Sequence, residues 1–283
     1  MPTLLEVLRL STGFLSQRGS ESARLDAELL TAHSLGLRRI DLYLQFDRPL
    51  REDELVPVRE LLRRRATGEP VAYLLGEREF YGRTFAVTPA VLIPRPDTET
   101  LVDAALQWAR AQARPLRIAD VGTGSGCIAV TMACELPDAQ VIATDVSAEA
   151  LEVARENAAR HGVEERLTFA QGTWTGPLLH DARFDMLLSN PPYVTESELD
   201  DLAAGVRNFE PQQALVVPGD GLDAYRQILD GVAPLLTENA YLAVEVDPRR
   251  AEQVEQLVRS ALPTATTHRI HDLTGRDRVV EAR

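Results

Sequence analysis

The chain has 283 residues, 45% of them hydrophobic and 26% charged, with 17 Gly and 17 Pro. That balance excludes collagen-like, low-complexity and wholly disordered readings, and leaves one large domain or two unequal ones. A formal net charge of −13, from 30 Lys and Arg against 43 Asp and Glu, opposes direct nucleic-acid binding, which relies on many cations to neutralise phosphates.

The opening MPTLLEVLRL has no basic region followed by an apolar run, and no later stretch reaches the ~18 apolar residues of a membrane helix. A soluble, cytoplasmic protein with no membrane partner is expected. The chain to about Gly76 reads as helical. Leu4, Val7, Leu8 and Phe14 recur at helical spacing, Ser20 is expected to cap a second helix through ARLDAELLTAHSLG, and Gly36 to stop it. A further helix, DELVPVRELLRRRATG, ends at Gly68. Its triplet Arg63, Arg64 and Arg65 reads either as cations favoured at a helix C-terminus or as a docking surface for a partner.

Between Glu79 and Pro94 the period switches to two, as in a hairpin with its turn near Gly82–Arg83. PRPDTETLVDAALQWARAQ then starts a helix for which Asp97 and Thr98 are the capping candidates. After Arg114–Pro115, the strands RIADVG, QVIATD, LTFAQG, FDMLLSN and YLAVEV are interspersed with helices expected from Ser125, from Ala148, near Asp223 and from Arg249. Cys127 and Cys134 share the first of these helices, too far apart to bridge. The closing segments HRIHDL and RVVEAR form an expected antiparallel hairpin. His268 and His271 stand on opposite faces of its first strand, so no metal is expected. The expected fold is a small helical bundle (1–78), a hairpin linker (79–94) and an α/β domain (95–283) with a mostly parallel, Rossmann-like sheet covered on both faces.

Two loops carry the chemistry. Asp120-Val-Gly122-Thr123-Gly124-Ser125-Gly126 follows one strand and opens a helix, and Asp145 ends the next strand, where a carboxylate can accept both hydroxyls of a ribose. A dinucleotide fingerprint would require Gly where Cys127 stands, so the loop suits a nucleoside without phosphates, such as S-adenosyl-L-methionine. A nicotinamide cofactor and a purely structural glycine turn are the alternatives. The second loop, Asn190-Pro191-Pro192-Tyr193, follows FDMLLS. Its prolines remove two N–H donors and leave acceptors, the Asn190 side-chain oxygen and the Pro191 carbonyl, which match the two hydrogens of a planar NH2 group. Tyr193 can pack on the flat face of such a substrate. The nitrogen of an amide or aromatic amine is a weak nucleophile because its lone pair is delocalised, and holding both hydrogens frees that lone pair for an in-line methyl transfer. Asn190, Pro191 and Tyr193 are the candidate catalytic residues. Trp174, after LTFAQG, reads as a stacking wall for adenine or as core packing.

With both loops placed, the chain resembles the protein (glutamine-N5) methyltransferases that modify peptide-chain release factors, the PrmC/HemK family. The resemblance covers nearly the whole chain and rests on ARLDAELLTAHSLG, GEPVAYLLGEREFYGRTFAV, VLIPRPDTETLV, DVGTGSGCIAV, SNPPYV, EPQQALVVPGDGLDAYR and DLTGRDRVV. It implies a class I S-adenosylmethionine-dependent methyltransferase domain that methylates the glutamine of the GGQ tripeptide, without a metal and with S-adenosyl-L-homocysteine as product. It further implies that Gly122 to Gly126, Asp145, Trp174 and Asn190 contact the cofactor, that Asn190 to Tyr193 grip the glutamine, and that the helical bundle docks on the release factor. Phe80 and Arg95 would line the pocket, and a monomer is expected. Thr173 stands where the family commonly has Asp, and Asp247 where it usually has Gly, a change expected to alter the sheet edge near the pocket. NPPY alone is also typical of DNA adenine-N6 methyltransferases, so glutamine methylation of a ribosomal protein and adenine methylation of nucleic acid remain the alternatives.

Overall fold

Apolar residues three and four apart, with a cap at the start, place the first helix. In α1 (Leu4–Gln17) the side chains of Leu4, Val7, Leu8 and Leu15 are buried, and Thr3 and Glu6 bond each other's backbone N–H in a capping box. The computed structural model describes residues 1–178 and 183–283. They form two compact units, Met1–Glu77 with Ala203–Phe209, and Arg78–Leu202 with Glu210–Arg283.

In the first unit α1 packs with α2 (Ala23–Ser34), α3 (Arg39–Leu44), α4 (Glu52–Ala66) and α5 (Val71–Leu75) around Leu4, Leu15, Leu30, Leu42 and Leu50, all fully buried. Gly36 stops α2 with φ +64°, as expected. Ser20 does not cap it. Ser22 holds the cap position, and the hydroxyls of Ser20 and Ser22 both donate to the buried Asp26, at 2.7 and 2.8 Å. Asp26 also receives Arg65 at 2.7 Å, so the carboxylate draws both serines inward and ties α2 to α4. Arg64 pairs with Glu69 and Arg63 with Glu60. All three arginines are thus ion-paired within their own unit.

The second unit begins with β1 (Glu77–Phe80) and β2 (Arg83–Ala86), joined through Tyr81 and Gly82, both at positive φ as a tight hairpin turn requires. Next come α6 (Glu99–Arg110), β3 (Arg117–Val121), α7 (Cys127–Glu135), β4 (Gln140–Asp145), α8 (Ala148–Arg160), β5 (Leu167–Gln171) and β6 (Phe184–Ser189). After α9 (Ala204–Phe209), which belongs to the first unit, come α10 (Asp223–Leu229), β7 (Leu236–Glu245), α11 (Ala251–Ala261), β8 (Thr267–His271) and β9 (Asp277–Ala282). Strands β3 to β9 form one seven-stranded sheet in the order β5-β4-β3-β6-β7-β9-β8. The pairs β5–β4, β4–β3, β3–β6 and β6–β7 are parallel, whereas β9 runs antiparallel to both β7 and β8.

Strand alternation divides the core between the sheet faces. Ile118, Met186 and Leu188 face the cluster that includes Leu101, Val102 and Ile128, while Ala119, Val121 and Leu187 face the cluster that includes Tyr225, Ile228 and Val254. Every residue of β6 is buried, Asp185 and Ser189 included, as suits a central strand covered on both faces. The expected caps of α6 are used elsewhere. Asp97 pairs with Arg278 at 3.1 Å and Thr98 bonds Asn190, so neither side chain caps the helix.

Asn157 of α8 is fully buried and fastens three segments. Its Oδ1 accepts the Ala86 N–H at 2.7 Å, and its Nδ2 donates to the Ala86 carbonyl at 3.0 Å and the Ser125 carbonyl at 2.9 Å. Asn157→Leu keeps the volume and strands these backbone groups without partners. Chemical denaturation should register a loss of about 2–4 kcal/mol. An unchanged midpoint would mean that the three bonds contribute nothing net.

Candidate functional site

The order of the sheet places the site. Strand order reverses between β4 and β6 on either side of β3, and the crevice outside the carboxyl ends of β3 and β6 is where open α/β sheets bind ligands. Both loops singled out in the sequence leave the sheet there.

After β3 the chain doubles back on β4. The N–H groups of Gly122 and Thr123 both donate to the Thr144 carbonyl at 2.9 Å. Gly126 sits at φ +79° ahead of α7, so that helix starts at Cys127 rather than at the expected Ser125. A Cβ on Gly126 would lie 3.1 Å from the Ala154 Cβ of α8, and glycine is what lets the two helices approach. At Gly122 and Gly124 an added Cβ would meet no protein atom within 4 Å, and both residues border an open cavity.

Asp145 braces the loop it faces. Its Oδ2 accepts the Gly124 N–H at 2.8 Å and its Oδ1 the Ser147 N–H at 3.0 Å. Each oxygen keeps a second lone pair for a ligand. Asp120, fully buried beneath the loop, has its pKa pushed up to about 7 by burial, against the pull of the Thr123 hydroxyl and the Ala129 N–H, which donate to Oδ2 at 2.6 and 3.1 Å.

On the other side, the Ser189 hydroxyl donates to the Val121 carbonyl at 2.6 Å and joins the ends of β6 and β3. Asn190 follows. Its Nδ2 donates to Thr98 Oγ1 at 3.1 Å, so Oδ1 is the end of the amide left to act as acceptor. Gly122, Thr123, Gly124, Ser125, Asp145, Trp174, Asn190 and Pro192 line one cavity. Gly126, Pro191 and Tyr193 are not among its lining residues. Pro191 is buried, and Tyr193 is half-buried against the apolar cluster containing Tyr225, where burial pushes its hydroxyl pKa up to about 12.

Trp174 borders the cavity with a left-handed backbone, φ +48°. The indole N–H donates to Gln227 Oε1 at 2.9 Å, and the Thr144 hydroxyl donates to the Trp174 carbonyl at 3.2 Å. Strain of this kind is costly for a large residue and persists only where surrounding contacts enforce it. The ring also packs on the core cluster beneath, so both sequence readings of Trp174 have a physical basis. Thr173 lines the same cavity and provides no carboxylate.

One wall lay outside the sequence reading. Residues 90–92, Pro94, Thr98, Gln213 and Ala214 also line the cavity. Arg95 does so as expected, whereas Phe80 does not: it is 1% exposed in the core, edge-on to Phe85. This wall is held by Glu210, which accepts the Ile93 N–H at 3.1 Å and Arg95 Nη2 at 2.5 Å. A buried Glu shows no periodic or motif signal by itself, and only the EPQQ string drew attention to it. The departure at Asp247 does not alter a sheet edge. Asp247 follows β7, an interior strand, and caps the next turn through the Arg249 N–H at 2.8 Å while pairing with Arg249 and Arg250.

Arg95, the one cationic side chain among the lining residues, is committed to Glu210, so no free cation awaits a pyrophosphate. Glycines open to the cavity, a braced carboxylate and an acceptor amide fit a phosphate-free nucleoside. Among the described residues, no group of three or more His, Cys, Asp and Glu is placed to hold a metal ion, and no helix is long and apolar enough to cross a membrane.

Fold and loops together define a Rossmann-like, S-adenosylmethionine-dependent methyltransferase. A methyltransferase from Pyrococcus furiosus shares the fold, with a TM-score of 0.51 at 17% identity over 72% of this chain and 89% of that one. Residues 6–76 match the PrmC N-terminal domain, and residues 101–214 match the methyltransferase small domain. The release factor glutamine methyltransferase of Nitratidesulfovibrio vulgaris is 43% identical over 99% of this chain and 95% of its own length. That of Geobacter sulfurreducens is 43% identical over 99% and 96%. The chain belongs to the release factor glutamine methyltransferase family.

Gly126→Ala combines a left-handed backbone with a close contact to Ala154 and should cost about 1–3 kcal/mol in unfolding experiments. Gly122→Ala shares the backbone strain and adds a methyl group in the cavity. It should therefore weaken cofactor binding by more than its loss of stability accounts for. Equal cofactor affinity in the two alanine variants would contradict the assignment of Gly122 to the cavity wall.

Proposed function

We propose that the protein transfers a methyl group from S-adenosyl-L-methionine to the side-chain amide nitrogen of the glutamine in the GGQ tripeptide of peptide-chain release factors. The observation that carries this reading is the Asn190 amide. Its Nδ2 is bound to Thr98, and the residue borders the same cavity as Gly122–Ser125 and Asp145. An amide with its NH2 group engaged presents an acceptor, and a substrate NH2 group is what an acceptor selects.

Bound in the cavity, the cofactor supplies an electrophilic methyl group on a sulfonium and leaves as S-adenosyl-L-homocysteine. The loop from Gly122 to Ser125 would admit it closely, with Gly126 packed behind it on Ala154, Asp145 would accept its ribose hydroxyls with the lone pairs left free by Gly124 and Ser147, and Trp174 would cover its adenine. Asn190 Oδ1 and the Pro191 carbonyl each take one N–H of the glutamine amide. Held in this way, the nitrogen is turned with its lone pair towards the methyl, and positioning is the main contribution to rate. No base has to act first, because the proton becomes acidic only once the nitrogen carries four bonds. Pro192 stiffens the loop. Tyr193, with its hydroxyl protonated at neutral pH, supports the loop from the core side, and its ring would pack on the flat face of the substrate amide.

The helical unit is the proposed docking element for the release factor, supported by the match of residues 6–76 to the family's N-terminal domain. A cytoplasmic monomer is proposed. The substrate is a translation factor, and the edge strand β8 is largely exposed and carries His268, Arg269 and His271, residues that discourage edge pairing.

The test is intact-mass and peptide mass spectrometry of a release factor incubated with the protein and S-adenosyl-L-methionine, beside a factor with Glu in place of the GGQ glutamine. One methyl gained on that glutamine and none on the control is expected. No gain, with cofactor binding measured separately, would turn the assignment towards a ribosomal-protein glutamine or a nucleic-acid adenine. Asn190→Ala should lower kcat by about 100-fold or more while cofactor affinity stays within a few-fold. Asp145→Ala should weaken cofactor binding by about 10–100-fold, as expected for lost hydrogen bonds to a charged group. Equilibrium titration of both variants separates the two roles.

A further inference from the structure

Glu210 is a buried carboxylate that none of the steps above uses. It is 4% exposed, it is not among the residues lining the cavity, and it joins two segments that are. The first segment runs from Ala90 to Arg95 and is denied a strand ladder by its prolines. Pro94 and Pro96 lack N–H groups and keep the residue before each extended, as Arg95 shows with φ −100° and ψ 142°. Glu210 takes the place of a ladder. Its Oε2 accepts the Ile93 N–H at 3.1 Å, and its Oε1 accepts Arg95 Nη2 at 2.5 Å. The second segment is its own continuation, where Pro211 leads into the tight turn Gln212–Ala214 and brings Gln213 and Ala214 into the lining.

Both segments are tied onward to the loop that carries Asn190. Thr98 Oγ1 accepts Asn190 Nδ2 at 3.1 Å. Beyond the tight turn, the Val194 N–H donates to the Leu215 carbonyl at 3.0 Å and the Val217 N–H to the Val194 carbonyl at 2.9 Å, a parallel bridge between Val194 and Val216. Residues 90–98, 190–194 and 210–217 thus form a closed frame, with Glu210 linking the first to the third, and all of them lie in the second unit. The glycine loop is anchored elsewhere, on the Thr144 carbonyl and on Asp145. The frame therefore shapes the acceptor half of the cavity through contacts distinct from those that shape the cofactor half. Two donors converge on Glu210, and a carboxylate offers an oxygen to each. An amide of the same shape offers one oxygen and turns its NH2 group on the other donor.

We propose that Glu210 is a positioning residue for the methyl acceptor: by clamping residues 90–95 to the turn that carries Gln213 and Ala214, it fixes the width of the acceptor side of the cavity, where the glutamine side chain of the release factor reaches Asn190. The proposal rests on the glutamine reading given above. Loss of the clamp releases the Ile93 N–H and the Arg95 guanidinium together, and the wall relaxes. The amide nitrogen is then held less closely in line with the methyl, at a cost in rate, while the contacts to ribose and adenine remain.

The experiment compares wild type, Glu210→Gln and Glu210→Asp with a release factor as substrate. It measures kcat and KM for the factor, S-adenosyl-L-methionine affinity by titration calorimetry, and the unfolding midpoint. Glu210→Gln should lose about 10–100-fold in kcat/KM for the factor, as expected for a lost hydrogen bond to a charged group, with cofactor affinity within about threefold. Glu210→Asp keeps the charge but is one methylene too short to reach both donors, and should fall between the other two. A merely structural role would lower the unfolding midpoint without separating acceptor from cofactor. If Glu210→Gln does not fold, Glu210→Asp decides by the same criteria. A folded variant that keeps more than about a third of the wild-type kcat/KM overturns the proposal, as does a loss of cofactor affinity equal to the loss in kcat/KM. In either case active wild type leaves the glutamine reading standing, whereas wild type that transfers no methyl to the factor overturns both.

Discussion

Everything at the site depends on the parallel pairing of β3 with β6. The register sets Asp120 opposite Leu188, and it brings the end of the glycine-loop strand beside the end of the strand that carries Asn190, two segments about 70 residues apart in sequence. The Ser189 hydroxyl bonded to the Val121 carbonyl closes that junction at the point where the strands hand over to their loops. A slip by one residue would send the buried side chains of β6 to the opposite face, so burial on both faces holds the register and with it the geometry of the site.

Carboxylates do much of the fastening around this junction. Asp145 takes the N–H groups of Gly124 and Ser147, Asp120 takes that of Ala129, Glu210 that of Ile93, and Asp185 that of Arg117. Charge-assisted bonds to backbone N–H groups are stronger than neutral ones and suit loops that lack a ladder of their own. The acidic surplus of the sequence is therefore partly structural. The overall net charge of −13 also opposes the approach of nucleic-acid phosphates.

Several differences from the sequence reading have one cause, which is that polar side chains have more than one possible partner. Ser20 and Thr98 both read as helix caps, and each instead bonds a residue distant in sequence or in its own turn: Asp26 for Ser20, Asn190 for Thr98. The Arg63–Arg65 triplet is satisfied by Glu60, Glu69 and Asp26 inside its own unit. Phe80 shows the same in apolar form, since a hairpin aromatic can face a pocket or a core and here completes the core. Local propensity ranks such choices, but the partner that tertiary folding brings nearest decides them.

The sequence by itself determined the order of elements, the glycine loop after one strand, the proline loop after another, and the acidic residue at the end of β4. These are legible because hydrophobic period, glycine spacing and proline chemistry are local properties of the chain. The structure alone decided that Thr98, Gln213, residues 90–92 and Pro94 would wall the cavity, and that Glu210 would hold that wall. Each depends on a contact between segments distant in sequence, and no local pattern encodes which buried acid will meet which hydroxyl. Sheet register and packing settle that pairing, because a buried polar group must find its partner among whatever the fold has already brought within reach.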